Sequence, residues 1–374
     1  MMLGPVLIAA GGTGGHLFPA EALASALTAR GIAVELVTDN RAVKYTGAFA
    51  THRVHILPAA TPTGGSFFGK LKALWILLRG TLAARSLIRD VQPSCMVGFG
   101  GYPTVAPLTA ASQLGVPTIL HEQNAVMGRA NRFLVNRADR IATGFKALEG
   151  ISSEAKLKCV QTGNPVRPAV LEAANLPYPQ SSDRLLHILV TGGSQGARVM
   201  ADIVPAAIEL IFPELRNSIR IVQQARGEDA ERVTQDYKRM KIEAVVKPFF
   251  DDLPARIAAA HLVISRAGAS TVSELAVIGR ASILVPFPHA LDQDQAANAE
   301  QLAETGAAEI IRQIAFTPER LAKLIDHALA DPDLLMEKGQ SARTAGRPDA
   351  AERLADLVLE TIALRQPNRG RNVG

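Results

Sequence analysis

The stretch GGTGGHLFPA, residues 11–20, directly follows the apolar run VLIAA at residues 6–10. A buried strand that continues into a glycine-rich turn and then into a helical pattern is the beginning of a βαβ unit with a parallel sheet. The backbone N–H groups of such a turn, together with those of the helix N-terminus, attract an anion, typically a phosphate. The stretch therefore predicts a site for a phosphate-bearing ligand, with the imidazole of His16 beside it.

This turn does not match the phosphate loops of the common nucleotide-dependent enzymes. The dinucleotide fingerprint G-x-G-x-x-G would require a glycine where Leu17 stands, and no P-loop lysine follows. NAD and ATP are therefore excluded as ligands of this turn. A glycine turn with a purely structural role remains the alternative for this stretch taken alone.

Short β-rich runs alternate with helical patterns along the whole chain. In the first half they are VLIAAG, AVELVT, SCMVGFGG, PTILHE and RIATGF, and in the second half LHILVTGG, IRIVQQA, IEAVVKPF, LVISRAG and ASILVPF. Each half therefore predicts a doubly wound α/β domain with a parallel sheet. The segment GNPVRPAVLE, residues 163–172, contains two prolines and is expected to be a stiff linker. Ligands should bind in a cleft between the carboxyl ends of the strands of the two domains.

Two further glycine-rich turns follow predicted strands. GFGGYP, residues 98–103, follows SCMV, and GGSQGAR, residues 192–198, follows LHILVT. Because two of the three turns lie in the first half and one in the second, we expect more than one phosphate-bearing ligand. One ligand per domain is the simplest arrangement.

Composition and charge exclude several classes of protein. With 374 residues, 48% of them hydrophobic and 20% charged, the chain is long enough for two cores and unlike a disordered protein. Two cysteines, Cys95 and Cys159, cannot form a disulfide framework or a metal cluster, which indicates a reducing compartment. The N-terminal apolar run is too short for a signal sequence or a membrane span. Residues 1–163 hold 16 basic against 8 acidic side chains, so the first half should meet an anionic partner.

Seven segments together resemble the successive motifs of the MurG family of peptidoglycan N-acetylglucosaminyltransferases: GGTGGHLFPA, GFGGYP, HEQNAVMGRANR, TGNPVR, GGSQGAR, SRAGASTVSEL and PFPHALDQDQAANA. They occur in the family's order and cover nearly the whole chain. The resemblance implies the GT-B fold, in which two Rossmann-like domains face each other across a cleft. It also implies inverting transfer of GlcNAc from UDP-GlcNAc to the MurNAc 4-hydroxyl of undecaprenyl-diphospho-MurNAc-pentapeptide.

The same resemblance assigns a role to each half of the chain. Residues 1–163, joined by a C-terminal helix at about 341–374, are expected to bind the lipid-linked acceptor and the membrane. Residues 164–340 are expected to bind UDP-GlcNAc. The family works in cell-wall synthesis at the cytoplasmic face of the bacterial inner membrane, without a cofactor, and we expect no nucleic-acid partner.

The segment SRAGASTVSELA makes chemical sense as a nucleotide-sugar site. The residues from Ala269 onward open a helix, whose free N–H groups and hydroxyls can bind the donor's diphosphate, and Glu274 can accept hydrogen bonds from the ribose hydroxyls. Thr271 and Glu274 also stand at capping-box spacing, which is the alternative interpretation. The predicted donor-binding residues of this helix are Ala269, Ser270, Thr271, Val272, Ser273 and Glu274.

The resemblance implies further donor contacts from other loops. Ser194 contacts the diphosphate, the backbone of Phe250 reads the uracil, Gln295 with Asn124 binds the sugar, and Arg167 in the linker contacts the donor. Thr13, Gly14 and Gly15 of the first turn also belong to the predicted donor-binding set, and that turn is expected to face the acceptor's own diphosphate.

One segment departs from the commoner family form. That form reads HAADDHQ, whereas this chain reads HALDQDQ, so that Asp292, Gln293 and Asp294 form a D-x-D pattern. Such a pattern binds a divalent cation in sugar transferases of another fold. Since the pattern lies in a loop that contacts the sugar in GT-B enzymes, and histidines and further carboxylates do not cluster around it, we predict no metal site here.

Inverting transfer requires a base for the attacking hydroxyl. His16 is the one histidine in the glycine loops, and its ordinary pKa lies near neutrality, so it is the predicted base. Glu122, in the segment HEQN, is the second candidate, either as base or as a residue that orients the site. A buried polar network of His121 and Glu122 at a strand end is the structural alternative.

A basic, apolar segment indicates how the chain meets a lipid-linked acceptor. No acidic residue occurs from Asn40 to Arg89, and the stretch FFGKLKALWILLRG, residues 67–80, combines cations with apolar residues at helical spacing. This pattern is typical of a helix that lies on an anionic membrane surface, although an ordinary core helix has the same spacing.

Two other classes of function remain as alternatives. A related lipid glycosyltransferase or a UDP-GlcNAc 2-epimerase would use similar loops. A nucleotide-binding module would bind the nucleotide and catalyse no reaction.

Overall fold

The computed structural model describes residues 3–11, 14–40, 49, 51–59, 67–179, 185–193, 196–290 and 293–365. The chain divides into two compact units. The first contains Met1–Arg167 and Pro348–Gly374, and the second contains Pro168–Arg347. Each unit has its own parallel sheet with helices against it, which confirms the predicted α/β class.

Each predicted apolar run contains a strand, and the structure has three further short strands that were not predicted. In the first unit they are β1 (Val6–Ala9), β2 (Val34–Thr38), β3 (Arg53–Ile56), β4 (Cys95–Gly98), β5 (Thr118–Glu122), β6 (Arg140–Thr143) and β7 (Cys159–Gln161). In the second unit they are β8 (Leu186–Thr191), β9 (Ile219–Gln224), β10 (Glu243–Lys247), β11 (Leu262–Ser265), β12 (Ala281–Leu284) and β13 (Ala308–Ile310).

Helices connect most of these strands. In chain order they are α1 (Gly14–Ala29), α2 (Phe67–Val91), α3 (Val105–Gln113), α4 (Arg129–Leu134), α5 (Ser153–Lys156), α6 (Pro168–Ala174), α7 (Arg198–Leu210), α8 (Pro213–Arg216), α9 (Gly227–Arg239), α10 (Leu253–Ala259), α11 (Ala269–Ile278), α12 (Asp294–Ala303), α13 (Pro318–Ala330), α14 (Pro332–Ala345) and α15 (Ala350–Arg365).

The first sheet has β1 near its centre. Its order is β3-β2-β1-β4-β5-β6-β7, and every neighbouring pair is parallel. All residues of β1 are buried: Val6 and Ile8 pack in the core that contains α1 and α15, and Leu7 and Ala9 pack in the core that contains α2, α3 and α4. A strand covered on both faces reads as a continuous apolar run, which explains why VLIA shows no polar alternation.

The second sheet repeats the arrangement with order β10-β9-β8-β11-β12-β13, again parallel throughout. Ile188 and Val190 of β8 pack with apolar side chains of α7 and α13 in one core. In both sheets the strand order reverses beside the first strand of the unit, between β1 and β4 and between β8 and β11. The carboxyl ends of the strands at such a reversal are the usual ligand position in doubly wound sheets.

The division between the units lies a few residues beyond the predicted boundaries at 163 and 340. Arg167 belongs to the first unit, and its guanidinium lies over the ring of Phe18 on α1, with 4.9 Å between Cζ and the ring centroid. Residues 341–345 complete α14, which packs against α11 in the second unit. Pro168 begins α6, so the predicted linker is in part helical.

The chain returns to the first unit through α15. This helix packs against α1, and Arg30 at the end of α1 forms ion pairs with Glu352 and Asp356 of α15, the latter with 2.6 Å between Nη1 and Oδ1. Leu354 and Val358 of α15 are fully buried in the core beneath. The C-terminal helix is therefore an integral layer of the first unit.

Candidate functional site

The glycine loops after β1 and β4 lie against each other where the first sheet reverses its order. A Cβ atom on Gly11 would lie 2.9 Å from Cγ of Pro103, so only glycine permits this approach of the two loops. Of the predicted residues in the first turn, Thr13 lies outside the described residues, and Gly14 and Gly15 are the first two residues of α1. The sequence alone could not show that these two loops are in contact.

His16 lies in the first turn of α1, with its ring against the loop after β4. A Cβ on Gly100, whose φ is +86°, would lie 3.4 Å from Nε2 of His16, and one on Gly101 would lie 3.9 Å from Cε1. Desolvation by burial lowers the pKa of His16 to about 4. The imidazole is therefore neutral near pH 7 and can accept a proton.

His121, at the end of β5, lies buried behind this loop. Its ring packs on Phe99, 5.1 Å between centroids, and Nε2 is 3.1 Å from the carbonyl oxygen of Gly163. Because a carbonyl only accepts, the proton of the neutral ring is on Nε2. Burial lowers the pKa of His121 to about 4, and the nearby His16 contributes to that shift.

Glu122 holds together the loop that follows β5. Its Oε1 accepts the backbone N–H of Asn124 at 3.0 Å, and its Oε2 accepts the N–H of Gly128 at 2.9 Å and Nδ2 of Asn131 at 2.8 Å. Desolvation raises the pKa of Glu122, and these hydrogen bonds oppose the rise. Since both carboxylate oxygens are used within the loop, the geometry favours the orienting role of Glu122 over that of a base.

The two predicted donor contacts of the first unit are held by their neighbours. Arg167 stacks on Phe18, and Glu21, one turn further along α1, is close enough for their charges to interact. Asn124 follows β5, and its backbone is fixed by Glu122. Both residues therefore have defined positions within the first unit.

In the second unit the glycine loop after β8 is braced by Gln224 of the neighbouring strand. Oε1 of Gln224 accepts from Oγ1 of Thr191 at 2.9 Å and from the N–H of Gly192 at 3.1 Å. Gly193 has a φ of +79°, which favours glycine. Ser194, the predicted diphosphate contact, lies outside the described residues.

Helix α11 begins directly after β11, at the other side of the reversal in the second sheet. Gly268 occupies the N-cap, and no described side chain caps the helix. The capping-box alternative therefore fails, because Thr271 lies inside the first turn and not at the N-cap. The early N–H groups of α11 point toward the carboxyl edge of the sheet, where an anion can accept from them. Glu274, in the second turn, is buried.

Gln295 joins two loops at the same edge of the sheet. Its Oε1 accepts the N–H of Phe287 at 2.9 Å and that of Ala267 at 3.3 Å. Within the described part of the chain its Nε2 has no acceptor, so this amide can donate to a ligand. Phe250, after β10, is buried, and the guanidinium of Arg256 lies 4.5 Å from its ring centroid.

Family models match both units. The glycosyltransferase family 28 N-terminal domain matches residues 6–143, and the family 28 C-terminal domain matches residues 187–354. The chain belongs to glycosyltransferase family 28. A family member from Rhizobium rhizogenes is 52% identical over 367 residues, which cover 98% of this chain and 97% of the relative. That protein is named UDP-N-acetylglucosamine–N-acetylmuramyl-(pentapeptide) pyrophosphoryl-undecaprenol N-acetylglucosamine transferase.

Solved structures agree with this family 28 assignment. MurG of Acinetobacter baumannii matches with a TM-score of 0.78 at 29% identity, over 96% of this chain and 99% of that one. The resemblance to the MurG family that the motifs indicated is thus confirmed. The UDP-GlcNAc 2-epimerase of Neisseria meningitidis bound to UDP-GlcNAc matches with a TM-score of 0.67 at 11% identity, over 95% of this chain and 100% of that one. At this identity the likeness shows only a common fold.

Three residues of this family 28 chain that support the loops were not predicted from its sequence. They are Asn131, which donates to Glu122, Gln224, which braces the loop after β8, and Arg266, which lies between β11 and α11. Asparagine, glutamine and arginine in these segments carry no spacing signal, because their partners are distant in the sequence. Asn131 and Arg266 do lie within the motifs HEQNAVMGRANR and SRAGASTVSEL, which were the available indications.

No group of three or more His, Cys, Asp or Glu side chains among the described residues could hold a metal ion. Asp292, the first member of the D-x-D pattern, lies outside those residues, and Asp294 begins α12.

Replacing Glu122 by alanine should destabilise the first unit of this family 28 chain. The N–H groups of Asn124 and Gly128 and the amide of Asn131 would lose their acceptor in a buried place, which should cost about 3 kcal/mol of unfolding free energy. Chemical denaturation followed by circular dichroism measures the loss. Glu122→Gln, which keeps one acceptor oxygen, is the matched control and should lose less. If Glu122→Gln keeps full stability but has lost turnover, Glu122 is the base.

Proposed function

We propose that this chain transfers GlcNAc from UDP-GlcNAc to the MurNAc 4-hydroxyl of undecaprenyl-diphospho-MurNAc-pentapeptide, with inversion at the anomeric carbon. The observation that carries the proposal is the 52% identity to the Rhizobium rhizogenes transferase across 98% of the chain. Both family 28 domains are present, and each contains glycine loops at the reversal point of its sheet.

The donor is assigned to the second unit. The uncapped N-terminus of α11 offers N–H groups for the diphosphate, and Glu274 accepts from the ribose hydroxyls. The backbone beside Phe250 binds the uracil, and Nε2 of Gln295 donates to the sugar. Developing negative charge on the leaving UDP is stabilised by the α11 N–H groups, which need no reorganisation during the reaction.

The acceptor and the base are assigned to the first unit. The loop that begins at Gly11 binds the acceptor's diphosphate, and His16 accepts the proton of the 4-hydroxyl as its oxygen bonds to the anomeric carbon. The bond from that carbon to the diphosphate oxygen breaks, and UDP leaves with the electron pair. A neutral imidazole is required for this step, and burial keeps His16 neutral near pH 7.

The lipid-linked acceptor is reached through helix α2. Leu71, Leu74, Trp75, Leu78 and Leu82 form one helical stripe, and all of them are exposed. Cations accompany the stripe: Lys72 is exposed, and the guanidinium of Arg79 lies 4.7 Å from the Trp75 ring centroid. The side chains of Phe67, Phe68 and Lys70 lie outside the described part of the structure.

This exposed stripe supports peripheral binding to the cytoplasmic face of an anionic membrane. The described residues include no helix that is both long enough and apolar enough to span a bilayer. A helix whose apolar side chains face solvent loses free energy unless a second surface covers them, and a lipid surface with its headgroup charge suits both the apolar and the basic side chains.

Product analysis tests the proposed reaction. The protein is incubated with UDP-GlcNAc and lipid-linked MurNAc-pentapeptide, and mass spectrometry should find the acceptor heavier by one N-acetylhexosamine, together with UDP. Conversion of UDP-GlcNAc without a change in the acceptor would indicate an epimerase. Binding of UDP-GlcNAc with no product of either kind would indicate a binding module.

Replacing Glu274 by alanine should weaken donor binding more than it slows the chemical step. A carboxylate that accepts from the ribose acts equally in the ground state and the transition state, so KM for UDP-GlcNAc should rise about 10- to 100-fold with kcat little changed. Steady-state kinetics and calorimetry with UDP measure both quantities. An unchanged KM with a collapsed kcat would show that Glu274 does not bind the ribose.

A further inference from the structure

Arg266 is a buried cation at the base of the proposed donor site. It stands between β11 and α11, three residues before the helix begins. Its Nη1 donates to the carbonyl oxygens of Val285 at 3.0 Å and Pro286 at 3.2 Å, and its Nη2 donates to Oε1 of Gln313 at 2.6 Å. All three acceptors are uncharged, so the hydrogen bonds hold the guanidinium without neutralising it.

The charge of Arg266 has no acidic partner among the described residues. Desolvation lowers its pKa, yet a guanidinium stays protonated near neutral pH. A buried charge without a counter-charge is costly, so a protein has reason to keep one where an anion binds. The N-terminus of α11 adds partial positive charge at the same end of the sheet.

The loop that Arg266 holds also belongs to the proposed site. Residues 285–287 follow β12, and the ring centroid of Phe287 lies 5.3 Å from the guanidinium carbon of Arg266. The N–H of Phe287 is the one that fixes Gln295, the proposed sugar contact. Arg266 therefore adds positive charge at this edge of the sheet and also fixes the conformation of the loop at 285–287.

We propose that Arg266 is a positioning residue of the donor site whose unneutralised charge stabilises a nucleoside diphosphate at the N-terminus of α11, while its hydrogen bonds fix the loop at 285–287. The proposal rests on the assignment of the donor to this unit. The charge acts at a distance, because the guanidinium is occupied by Val285, Pro286 and Gln313.

Ligands that differ only in the number of phosphates distinguish the electrostatic effect of Arg266 from its effect on the conformation of the loop at 285–287. Calorimetry measures Kd for uridine, UMP and UDP with the native protein, Arg266→Gln and Arg266→Lys. Arg266→Gln should weaken UDP binding by about tenfold or more, UMP binding by less, and uridine binding by less than about twofold, since Coulomb interaction scales with ligand charge. Arg266→Lys keeps the charge and should keep the ratio of UDP to uridine affinity.

The chain supplies a matched control in Arg280. Like Arg266, this residue is buried and donates to carbonyl oxygens, those of Ala258, Ile278 and Gly279, but it lies before β12 at the opposite end of the sheet. Arg280→Gln should lower stability without changing the ratio of UDP to uridine affinity. An equal loss for uridine, UMP and UDP in Arg266→Gln would overturn the charge role.

The Arg266→Lys variant keeps the proposal testable if Arg266→Gln does not fold. If Arg266→Gln does not fold, Arg266→Lys is titrated, because burial lowers the pKa of a lysine and raises the share of its neutral form at alkaline pH. UDP affinity should then fall with rising pH in that variant and stay level in the native protein, while an equal pH response would overturn the proposal. Absence of UDP binding to the native protein, or an unaffected Glu274→Ala variant, would instead reject the donor site itself.

Discussion

Replacing His16 by alanine should lower kcat by about 10²- to 10⁴-fold, the usual contribution of a general base. Binding of UDP should change little, because the donor is assigned to the second unit. The pH dependence gives the sharper test. Burial lowers the pKa of His16 to about 4, so the neutral, proton-accepting form is present above that value. The kcat/KM of the native enzyme should therefore fall only as the pH drops toward about 4, well below the ordinary histidine range, and this limb should be missing in His16→Ala.

The control for this experiment is His327→Ala, which removes an exposed histidine of α13 and should leave kcat unchanged. Because His16 lies against the glycine loop at Gly100, each variant needs an unchanged thermal unfolding curve before its kinetics are compared. A rate loss of less than about tenfold, or an acidic limb that survives in His16→Ala, would remove the base role from His16.

Replacing Leu74, Trp75 and Leu78 together by serine should weaken binding to anionic vesicles by about 10²-fold. These side chains are 63%, 57% and 56% exposed, so they contribute little to the core and have apolar surface left to bury. A gain of about 1 kcal/mol from each on contact with lipid, below the value for full burial, adds up to the predicted factor. Vesicle sedimentation measures the binding, and activity on a water-soluble acceptor analogue should be retained.

Leu157 provides the matched control, since it is 88% exposed in the first unit but lies between α5 and β7, outside the α2 stripe. Leu157→Ser should bind vesicles as the native protein does. Raised salt should weaken native binding further, through screening of Lys72 and Arg79. Vesicle binding that survives in the triple variant would show that the α2 stripe faces something other than lipid.

The three strands that the sequence missed are edge strands, whereas β10, which also lies at an edge and has no buried residue, was predicted from its apolar residues Ala244, Val245 and Val246. β3, β7 and β13 each lie at the edge of a sheet and have three or four residues, none of them buried. An edge strand buries less and alternates less clearly, so hydrophobic pattern does not distinguish it from a loop.

The sequence by itself determined the local elements, because strand, turn and helix follow from apolar periodicity and from where glycine stands, and its ordered motifs determined the family. Tertiary structure alone decided three other things: that His16 rests against Gly100, that both oxygens of Glu122 are used within its loop, and that the apolar stripe of α2 faces solvent. The physical reason is that an apolar helical stripe has the same spacing in a core as on a surface, and side chains distant in sequence meet only through the order in which strands join a sheet.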